Sequence, residues 1–432
     1  MKLADFAGTK TKLQNCTMLL RSIIAVLAFI AAQGSLSGCG QFPTHASAKQ
    51  QAAIDDSING FITRQQMPGA VFYLGHRGAA PSQKAYGNLS YAADAAATGL
   101  DTIFDAASLT KVIATAPSIM LLIEQGKVAL DAPLIQYFPE CNNGGKETIS
   151  IRHLLTHTSG LAAGIPATLP DGATWQGEAA ALALACSQVV THQPGTFFRY
   201  SDINFILLGQ LVQRLSGQPL NEFSRQKIFT PLGMSHTGYL PLQRFASANI
   251  APTFSDAQRG IVHDPTTRRI GGVAGHAGLF TTAGDLARYA EMMLNEGELN
   301  GVRILSRASV RLMTTVQSPP AAILPTGWKR SAGWDIDSPY ARPRGSLFPR
   351  GDDHQPGSYG HTGFTGCILW IDPISKTFYV LLSNRVYPHP VSGKDGNILA
   401  LYSVLGTLSA EAVGMNGRAT QLENITPAND RK

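Results

Sequence analysis

The chain has 432 residues, of which 44% are hydrophobic and 15% charged, and its formal net charge is +6 at neutral pH. This composition is typical of a globular protein with a large core, and the length favours two lobes. Residues 1–38 hold four basic residues and one acidic residue, or +3, which leaves +3 for the remaining chain. Because no basic run is interleaved with aromatic residues, nucleic acid is not predicted as a partner.

The N-terminal region has the pattern of an export signal. Its basic residues are followed by an apolar run at 23–32, which is too short to span a bilayer and suits a signal peptide. The next segment, Leu36-Ser37-Gly38-Cys39, resembles the bacterial lipoprotein box, in which the cysteine is lipidated. We therefore expect a signal peptide at 1–38, lipidation at Cys39 and a tether at 39–49. The alternatives are an ordinary signal cleaved nearby and an uncleaved anchor.

Such a protein is expected in the bacterial cell envelope, held to the membrane by its lipid anchor. In a Gram-negative host, Gly40 directly after the cysteine favours the outer membrane, with the protein facing the periplasm. The rest of the chain is predicted to be one domain at 50–413, followed by a C-terminal tail at 414–432.

The predicted elements place strands at both ends of this domain and helices between them. In chain order they are a helix at 50–66, a hairpin at 70–76 and 83–88, a helix from Ser108 to about Gly126, mostly helices and loops from about 130 to 290, strands at 366–371 and 377–383, and a closing helix at 398–412. The two ends are expected to form one antiparallel sheet flanked by helices, an α+β fold with an inserted, mostly helical lobe at roughly 130–290. A functional site is expected in the cleft between the lobes.

Ser108 and Lys111 open the apolar helix and form the most informative pair in the chain. Residues three apart on a helix are neighbours. A serine hydroxyl is a poor nucleophile until a base removes its proton, and a lysine can be that base if its pKa is lowered. A helix N-terminus also favours developing negative charge. The second Ser-x-x-Lys, at 224–227, lies in a charged stretch and is set aside.

Two further motifs place polar side chains next to a predicted apolar helix or strand. Tyr200 lies in Arg199-Tyr-Ser-Asp202 at the start of an apolar helix, and a tyrosine beside an ammonium can release or relay a proton. His361-Thr-Gly363 precedes the strand at 366–371, and small residues on an edge strand let a substrate backbone approach closely. The plainer interpretations are a buried tyrosine that caps a loop and a turn before a strand.

The order Ser-x-x-Lys, Tyr-x-[Asn/Asp], [Lys/His]-x-Gly resembles the serine β-lactamase and penicillin-binding protein superfamily. Four segments are similar to its class C β-lactamase-related branch, which includes esterases and D-aminopeptidases: His153–Leu161, Pro231–Met234, Gly271–Phe280 and Gly360–Gly366. The resemblance covers about residues 50–410. It implies a β-lactamase/transpeptidase-like fold and a serine hydrolase that cleaves an ester or amide through an acyl-enzyme, without a metal or other cofactor.

The resemblance also implies roles for individual residues. The implied catalytic residues are Ser108, Lys111, Tyr200 and His361, the oxyanion-hole donors are the backbone N–H groups of Ser108 and Phe364, and the substrate contacts are Asp202, Thr362 and Gly363. Ser108 is the residue to be acylated. Whether Lys111 or Tyr200 takes its proton is left open.

Two departures from the β-lactamase pattern affect the expected substrate. Asp202 replaces an Asn and adds a carboxylate near Lys111, which holds the lysine charged and weakens it as a base. His361 replaces a Lys, and an imidazole, mostly neutral at pH 7, is a poorer anchor for a carboxylate. This histidine is more similar to the D-aminopeptidase and esterase members, so efficient β-lactam hydrolysis is not expected. A carboxylate anchor from Arg342, Arg344 or Arg350 remains an alternative to solvated loop arginines.

Other functions remain open. Within enzymes, the alternatives are a peptidoglycan D,D-peptidase and a weak β-lactamase; outside enzymes, a penicillin-binding sensor or scaffold that does not turn over. The expected partner is a small-molecule or peptidoglycan-derived substrate, and no oligomeric state is predicted.

Several other histidines and cysteines are candidates for metal ligands or structural groups. His153 and His157, four apart on a predicted helix, lack the Glu of a zinc motif and are interpreted as structural. His263 and His276 flank a Gly-rich loop and are expected to form a wall of the site or a structural latch. The residues Cys141, Cys186 and Cys367 allow either one disulfide with one free thiol or three buried thiols.

Overall fold

A five-stranded antiparallel sheet forms the centre of the structure, a computed structural model that describes residues 46–169, 172–318, 329–336, 356–388 and 398–414. The strands are β1 (Gly69–His76), β2 (Ser82–Gly87), β3 (Phe104–Asp105), β4 (Phe280–Thr281), β5 (Glu298–Leu299), β6 (Val302–Arg303), β7 (Tyr359–Gly363), β8 (Cys367–Asp372) and β9 (Thr377–Ser383). The order in the main sheet is β2-β1-β9-β8-β7. Strands from both ends of the chain therefore meet at the β1–β9 pair, which confirms the predicted antiparallel sheet.

Helices cover the sheet and fill the middle of the chain. They are α1 (Ala48–Thr63), α2 (Ala116–Glu124), α3 (Leu134–Tyr137), α4 (Ile151–Leu155), α5 (Glu178–Ser187), α6 (Asp202–Ser216), α7 (Leu220–Ser224), α8 (Pro265–Ile270), α9 (Ala283–Leu294), α10 (Arg307–Thr314) and α11 (Ile398–Ala412). Between β3 and β7 the described residues are mainly helices and loops, as expected for the inserted part.

Helices cover both faces of the sheet at β8 and β9, and successive side chains of each strand enter opposite cores. On β8, Ile368 and Trp370 pack with α1 and α11, whereas Leu369 and Ile371 face the larger core that contains α2 and α9. This explains why β8 and β9 read as nearly continuous apolar runs. β7 is the last strand of the sheet; its outer edge pairs with Asp335 at Gly360, and the part of the edge near Thr362 is left for the site.

The segment that begins at Ser108 differs from the single α-helix predicted from the sequence. It starts as a 3₁₀ turn at Ala107–Leu109, continues as a π-helical turn at Lys111–Thr115, and becomes α-helical only at α2. The first residue of the turn, Ala107, has φ of +46°, which an L-residue adopts only under constraint and which is incompatible with an α-helix. The window Ala107–Glu124 is long and apolar enough for a membrane span, but 78% of it is buried inside the structure, as in a core helix.

The remaining sequence predictions have mixed outcomes. His157 lies beyond the end of α4, with φ of +58°, so the prediction that it shares a helix with His153 is wrong. Cys141 and Cys186 are disulfide-bonded and Cys367 is a buried thiol, which decides between the two cysteine arrangements. The signal peptide, Cys39, most of the tether, Arg342, Arg344, Arg350 and nearly all of the C-terminal tail lie outside the described residues.

Candidate active site

Ser108 lies in the 3₁₀ turn that follows β3, where its side chain is partly exposed. Lys111 is the first residue of the π-helical turn that follows, and its Nζ lies 3.1 Å from Ser108 Oγ. The structure brings this predicted pair into hydrogen-bonding contact, although the two residues do not share a regular α-helix.

The Lys111 side chain is fully buried and its Nζ is surrounded by oxygen atoms. Besides Ser108 Oγ, it contacts Asp202 Oδ1 at 2.8 Å and the backbone oxygen of His276 at 2.9 Å. An ammonium has three N–H donors, and a neutral amine has two donors and a lone pair. His276 O and Ser108 Oγ accept the two hydrogen bonds of Nζ, and the Asp202 carboxylate forms an ion pair with it on another side. This geometry suits a proton transfer between Ser108 and Lys111.

The charges around Lys111 decide its resting state. Burial alone would lower the pKa of Lys111, but the Asp202 carboxylate and the Tyr200 oxygen outweigh burial and raise it above its usual value. The pKa of Tyr200 is also raised, because burial and Asp202 outweigh the opposite effect of the Lys111 ammonium. At neutral pH both groups therefore hold their protons in the resting site.

Tyr200 is held over Lys111 by a histidine that sequence reasoning assigned only a structural role. Its ring stacks on His157 with centroids 4.5 Å apart, Lys111 Nζ lies 4.9 Å from the Tyr200 ring centroid, and its hydroxyl lies near the side chains of Lys111 and Ser108. His157 Nδ1 accepts the backbone N–H of Ser201 at 3.1 Å and faces Asn204 Nδ2 at 3.3 Å. Burial and nearby cations hold the pKa of His157 well below its usual value, so this ring is neutral.

The edge strand β7 places the third motif beside Tyr200. The His361 ring centroid is 6.0 Å from that of Tyr200, and its Nδ1 donates to the Thr362 carbonyl at 2.8 Å. His361 is buried, whereas Thr362 is partly exposed on the strand. The residues predicted from the three motifs thus lie together at one end of the sheet.

The turn after β7 brings Phe364 to the nucleophile segment. A Cβ on Gly363 would lie only 2.4 Å from the Ala106 carbonyl, so this approach requires a glycine. Within the described part of the chain, the backbone N–H groups of Ser108 and Phe364 donate to no protein acceptor. Two free donors, one on the nucleophile itself and one on the turn that approaches the nucleophile segment, fit the predicted oxyanion hole.

Asp105 ties these pieces together and was not identified from the sequence. Its carboxylate is buried and accepts the backbone N–H of Ala107 at 2.9 Å and that of His263 at 2.7 Å. Its backbone oxygen accepts the Thr365 hydroxyl at 2.7 Å. Burial raises the pKa of Asp105 to about 6, against the opposing effect of the two N–H donors. The carboxylate thus holds the left-handed conformation of Ala107 immediately before the nucleophile.

The two histidines of the Gly-rich loop region contact the site in different ways. The His263 ring stacks on Phe364, with centroids 5.5 Å apart. His276 is buried, offers its carbonyl to Lys111, and faces Asp264 Oδ1 with its Nε2 at 2.9 Å. His263 forms a wall of the site and His276 a latch behind it. Among the described residues, no group of three or more His, Cys, Asp or Glu side chains is arranged to hold a metal ion.

Comparison with known proteins places this fold and site in a family. The family model described as Beta-lactamase matches residues 54–402. A protein of Escherichia coli (strain K12), provisionally named a D-alanyl-D-alanine carboxypeptidase, is 32% identical over 324 residues, which cover 68% of this chain and 72% of the relative. The N-acetylmuramyl-L-alanine amidase of Bacillus subtilis (strain 168) is 30% identical over 326 residues, covering 68% and 70%.

Among solved structures, a penicillin-binding protein homologue from Caulobacter crescentus superposes with a TM-score of 0.63 at 18% sequence identity. The match covers 84% of this chain and 98% of that protein, and it shows the shared fold. The family match spans β1 to α11, including every motif of the site. The chain therefore belongs to the Beta-lactamase family.

Proposed function

We propose that this protein is a serine hydrolase that cleaves an amide or ester through an acyl-enzyme on Ser108. The observation that carries the proposal is the position of Lys111 Nζ, 3.1 Å from Ser108 Oγ and held by contacts with two other oxygen atoms. A contact of this length between a nucleophile and a base is the geometric requirement for activation. The partly exposed Ser108 and the free N–H groups beside it support the same conclusion.

In the proposed cycle, Ser108 Oγ attacks the substrate carbonyl carbon while its proton passes to the neutral amine of Lys111. The carbonyl oxygen becomes an oxyanion that the N–H groups of Ser108 and Phe364 stabilise. The bond to the leaving group then breaks, and Tyr200 relays a proton to the departing atom. Water attacks the ester on Ser108 by the reverse proton transfers, which releases the acid and restores the free serine.

Asp202 controls when Lys111 is available as a base. In the resting site its carboxylate helps to keep the lysine protonated. The Asp202 side chain is 36% exposed, so a cationic or N–H group of the substrate can reach it. Such a contact would compete for the carboxylate's charge and lower the pKa of Lys111. The base would then be produced mainly when substrate is bound.

For the substrate class we propose a peptidoglycan-derived peptide amide ending in D-alanine. The support is the name of the Escherichia coli relative, and the Bacillus subtilis relative is likewise named for an amide of a cell-wall component. The export signal expected at 1–38 and lipidation at Cys39 would place the enzyme in the envelope, facing this substrate. Mass analysis of the mature N-terminus, with Cys39→Ala as control, tests both expectations; a cleaved but unlipidated wild-type N-terminus contradicts the lipid anchor, and an uncleaved one contradicts the signal peptide.

The deciding experiment is intact-mass labelling of the full chain in mild detergent with a fluorophosphonate and, in parallel, benzylpenicillin. One equivalent of fluorophosphonate on the wild type and none on Ser108→Ala identifies the nucleophile. The absence of any adduct on the wild type would contradict the proposal. Release of D-alanine from a D-alanyl-D-alanine peptide, compared with hydrolysis of a muramyl-L-alanine amide and of a simple ester, then separates the substrate classes.

The lifetime of the penicillin adduct tests a second candidate function, a sensor that acylates without turnover. The observation that favours it is the resting state, in which Lys111 and Tyr200 both hold their protons. A penicillin adduct that persists, together with no turnover of peptide or ester, would support the sensor.

A further inference from the structure

His276 links the base of the site to a partly buried carboxylate on another element. Its backbone oxygen accepts Lys111 Nζ at 2.9 Å. Its imidazole Nε2 contacts Asp264 Oδ1 at 2.9 Å and lies 3.2 Å from the Thr267 hydroxyl. The His276 side chain is 2% exposed and that of Asp264 is 27% exposed, so the contact is shielded from water on the imidazole side. One residue therefore contacts the catalytic lysine through its main chain and an acidic group through its side chain.

The loop that carries His276 is bound along the nucleophile segment. Gly275 accepts the Thr115 hydroxyl at 2.7 Å through its carbonyl. Leu279 accepts the Ala106 N–H at 2.9 Å and donates its own N–H to the Thr110 hydroxyl at 3.1 Å. Lys111 is thus one of several groups on this segment whose position depends on the loop.

Asp264 is well suited to anchor this loop. Its Oδ1 also accepts the Thr267 N–H at 2.6 Å and caps the N-terminus of α8. Burial alone would raise the pKa of Asp264, but the hydrogen bonds from His276 and Thr267 lower it below its usual range. The carboxylate is therefore ionised at neutral pH, and His276 Nε2 must carry the proton that joins them. A charge-assisted hydrogen bond of this kind is stronger than a neutral one.

We propose that the Asp264–His276 pair is a positioning device for Lys111. By fixing the imidazole, Asp264 fixes the His276 carbonyl, and this carbonyl takes one of the two N–H donors that the neutral amine retains. Asp202 lies in ion-pair contact with Nζ on another side, so the remaining direction, that of the lone pair, faces Ser108. The pair touches neither substrate nor the reacting atoms and acts through the lysine. This inference rests on the proposed function, in which Lys111 is the base.

The test measures fluorophosphonate labelling of the full chain as a function of reagent concentration, which gives a maximal rate, a half-saturation constant and a labelled fraction. His276→Leu and Asp264→Asn break the pair. His276→Gln keeps an amide N–H near the position of Nε2. Tyr239→Phe is the matched control, because its hydroxyl donates to the Ala274 carbonyl of the same loop at 3.3 Å but does not contact Lys111.

We expect the maximal labelling rate of His276→Leu and Asp264→Asn to fall ~10- to 100-fold, as for a small misplacement of a catalytic group, with little change in half-saturation. His276→Gln recovers most of the rate, and Tyr239→Phe keeps it. Partial unfolding alone would lower the labelled fraction and leave the rate unchanged. A wild-type rate in His276→Leu, or an equal loss in Tyr239→Phe, would overturn the proposal.

A crystal structure of His276→Leu provides a readout that does not depend on labelling. The proposal requires Lys111 Nζ to move away from Ser108 Oγ, and an unchanged contact refutes it. If the wild type is not labelled but the lysine moves in the variant, the proposed function fails while the positioning role stands.

Discussion

Replacing Asp202 with asparagine tests the electrostatics of the site most directly. The carboxylate lies 2.8 Å from a fully buried Lys111 Nζ, and the two have opposite charges. Their attraction ranges from ~1.5 kcal/mol at the dielectric constant of water to ~6 kcal/mol at an effective value of ~20. Because the Asp202 side chain is 36% exposed, solvent screening favours the lower part of this range. We take ~1.5–3 kcal/mol, which corresponds to ~1–2 pH units in the pKa of Lys111.

The sign of the effect follows from the charge that is removed. Without the carboxylate the ammonium loses its partner, so the pKa of Lys111 falls and the neutral amine becomes available at lower pH. The wild-type kcat/KM is expected to rise towards alkaline pH. In Asp202→Asn the acid limb moves down by ~1–2 pH units, and the rate on the acid limb rises ~10-fold or more.

The assay is a pH profile of kcat/KM on an ester substrate, because an ester linkage has no N–H group that would bind the Asp202 side chain. Asp131→Asn is the matched control, since it removes an ion pair with Arg152 at a largely exposed carboxylate. Unfolding in urea at pH 7 is expected to show a loss of stability in Asp202→Asn. The raised pKa of Lys111 in the folded protein contributes stability at every pH below the pKa of an unfolded lysine, and this contribution shrinks when the carboxylate is removed. An acid limb that stays in place, or moves to higher pH, would refute the assignment of Lys111 as the base.

Three further changes address other parts of the site and fold. Tyr200→Phe keeps the ring stacked in place and should lower kcat by ~10²–10⁴, with an unchanged melting temperature, if the hydroxyl relays a proton; a loss below threefold in steady-state kinetics would argue against this role. Gly363→Ala should push the Phe364 turn away from the nucleophile and reduce the acylation rate ~10²–10³, whereas Gly284→Ala, where an added Cβ meets no atom within 4 Å, should not. Replacing both Cys141 and Cys186 with alanine should cost ~2–4 kcal/mol in urea unfolding, and reductant should then have no further effect on stability.

The fold was predictable from the sequence because its main strands and helices are long apolar segments. The strand at 377–383 and the helix at 398–412 were predicted with the bounds that the structure has. The prediction that the two ends of the domain form one sheet is confirmed. The β3–β4 pair was missed because each strand has two residues, which is too short for any periodicity. The 3₁₀ and π turns around Ser108 were missed because the Asp105 carboxylate that accepts the Ala107 N–H is fixed in place by the N–H of His263, a contact across 158 residues that no local pattern reveals.

The site was predictable where side-chain identity carries the chemistry. Ser108, Lys111, Tyr200 and His361 were selected by ordered motifs, and the structure places them together. His276 was left between two roles because its contact with the base uses the backbone carbonyl, which every residue possesses. His157 lies within a segment that supported the family resemblance, yet its ring stack depends on how a loop and a helix meet in three dimensions.

The pairing of β1 with β9 has a consequence for how the chain is made. His76 and Thr377 are hydrogen-bonded although they are 301 residues apart in sequence. At ~5–20 residues per second, a ribosome needs on the order of 15–60 s to travel between them. During that time the first hairpin has an open strand edge and no partner for its apolar faces, which is a hazard for aggregation. Ser108 is synthesised early but cannot be active early, because β7, which carries His361, emerges near the end of translation.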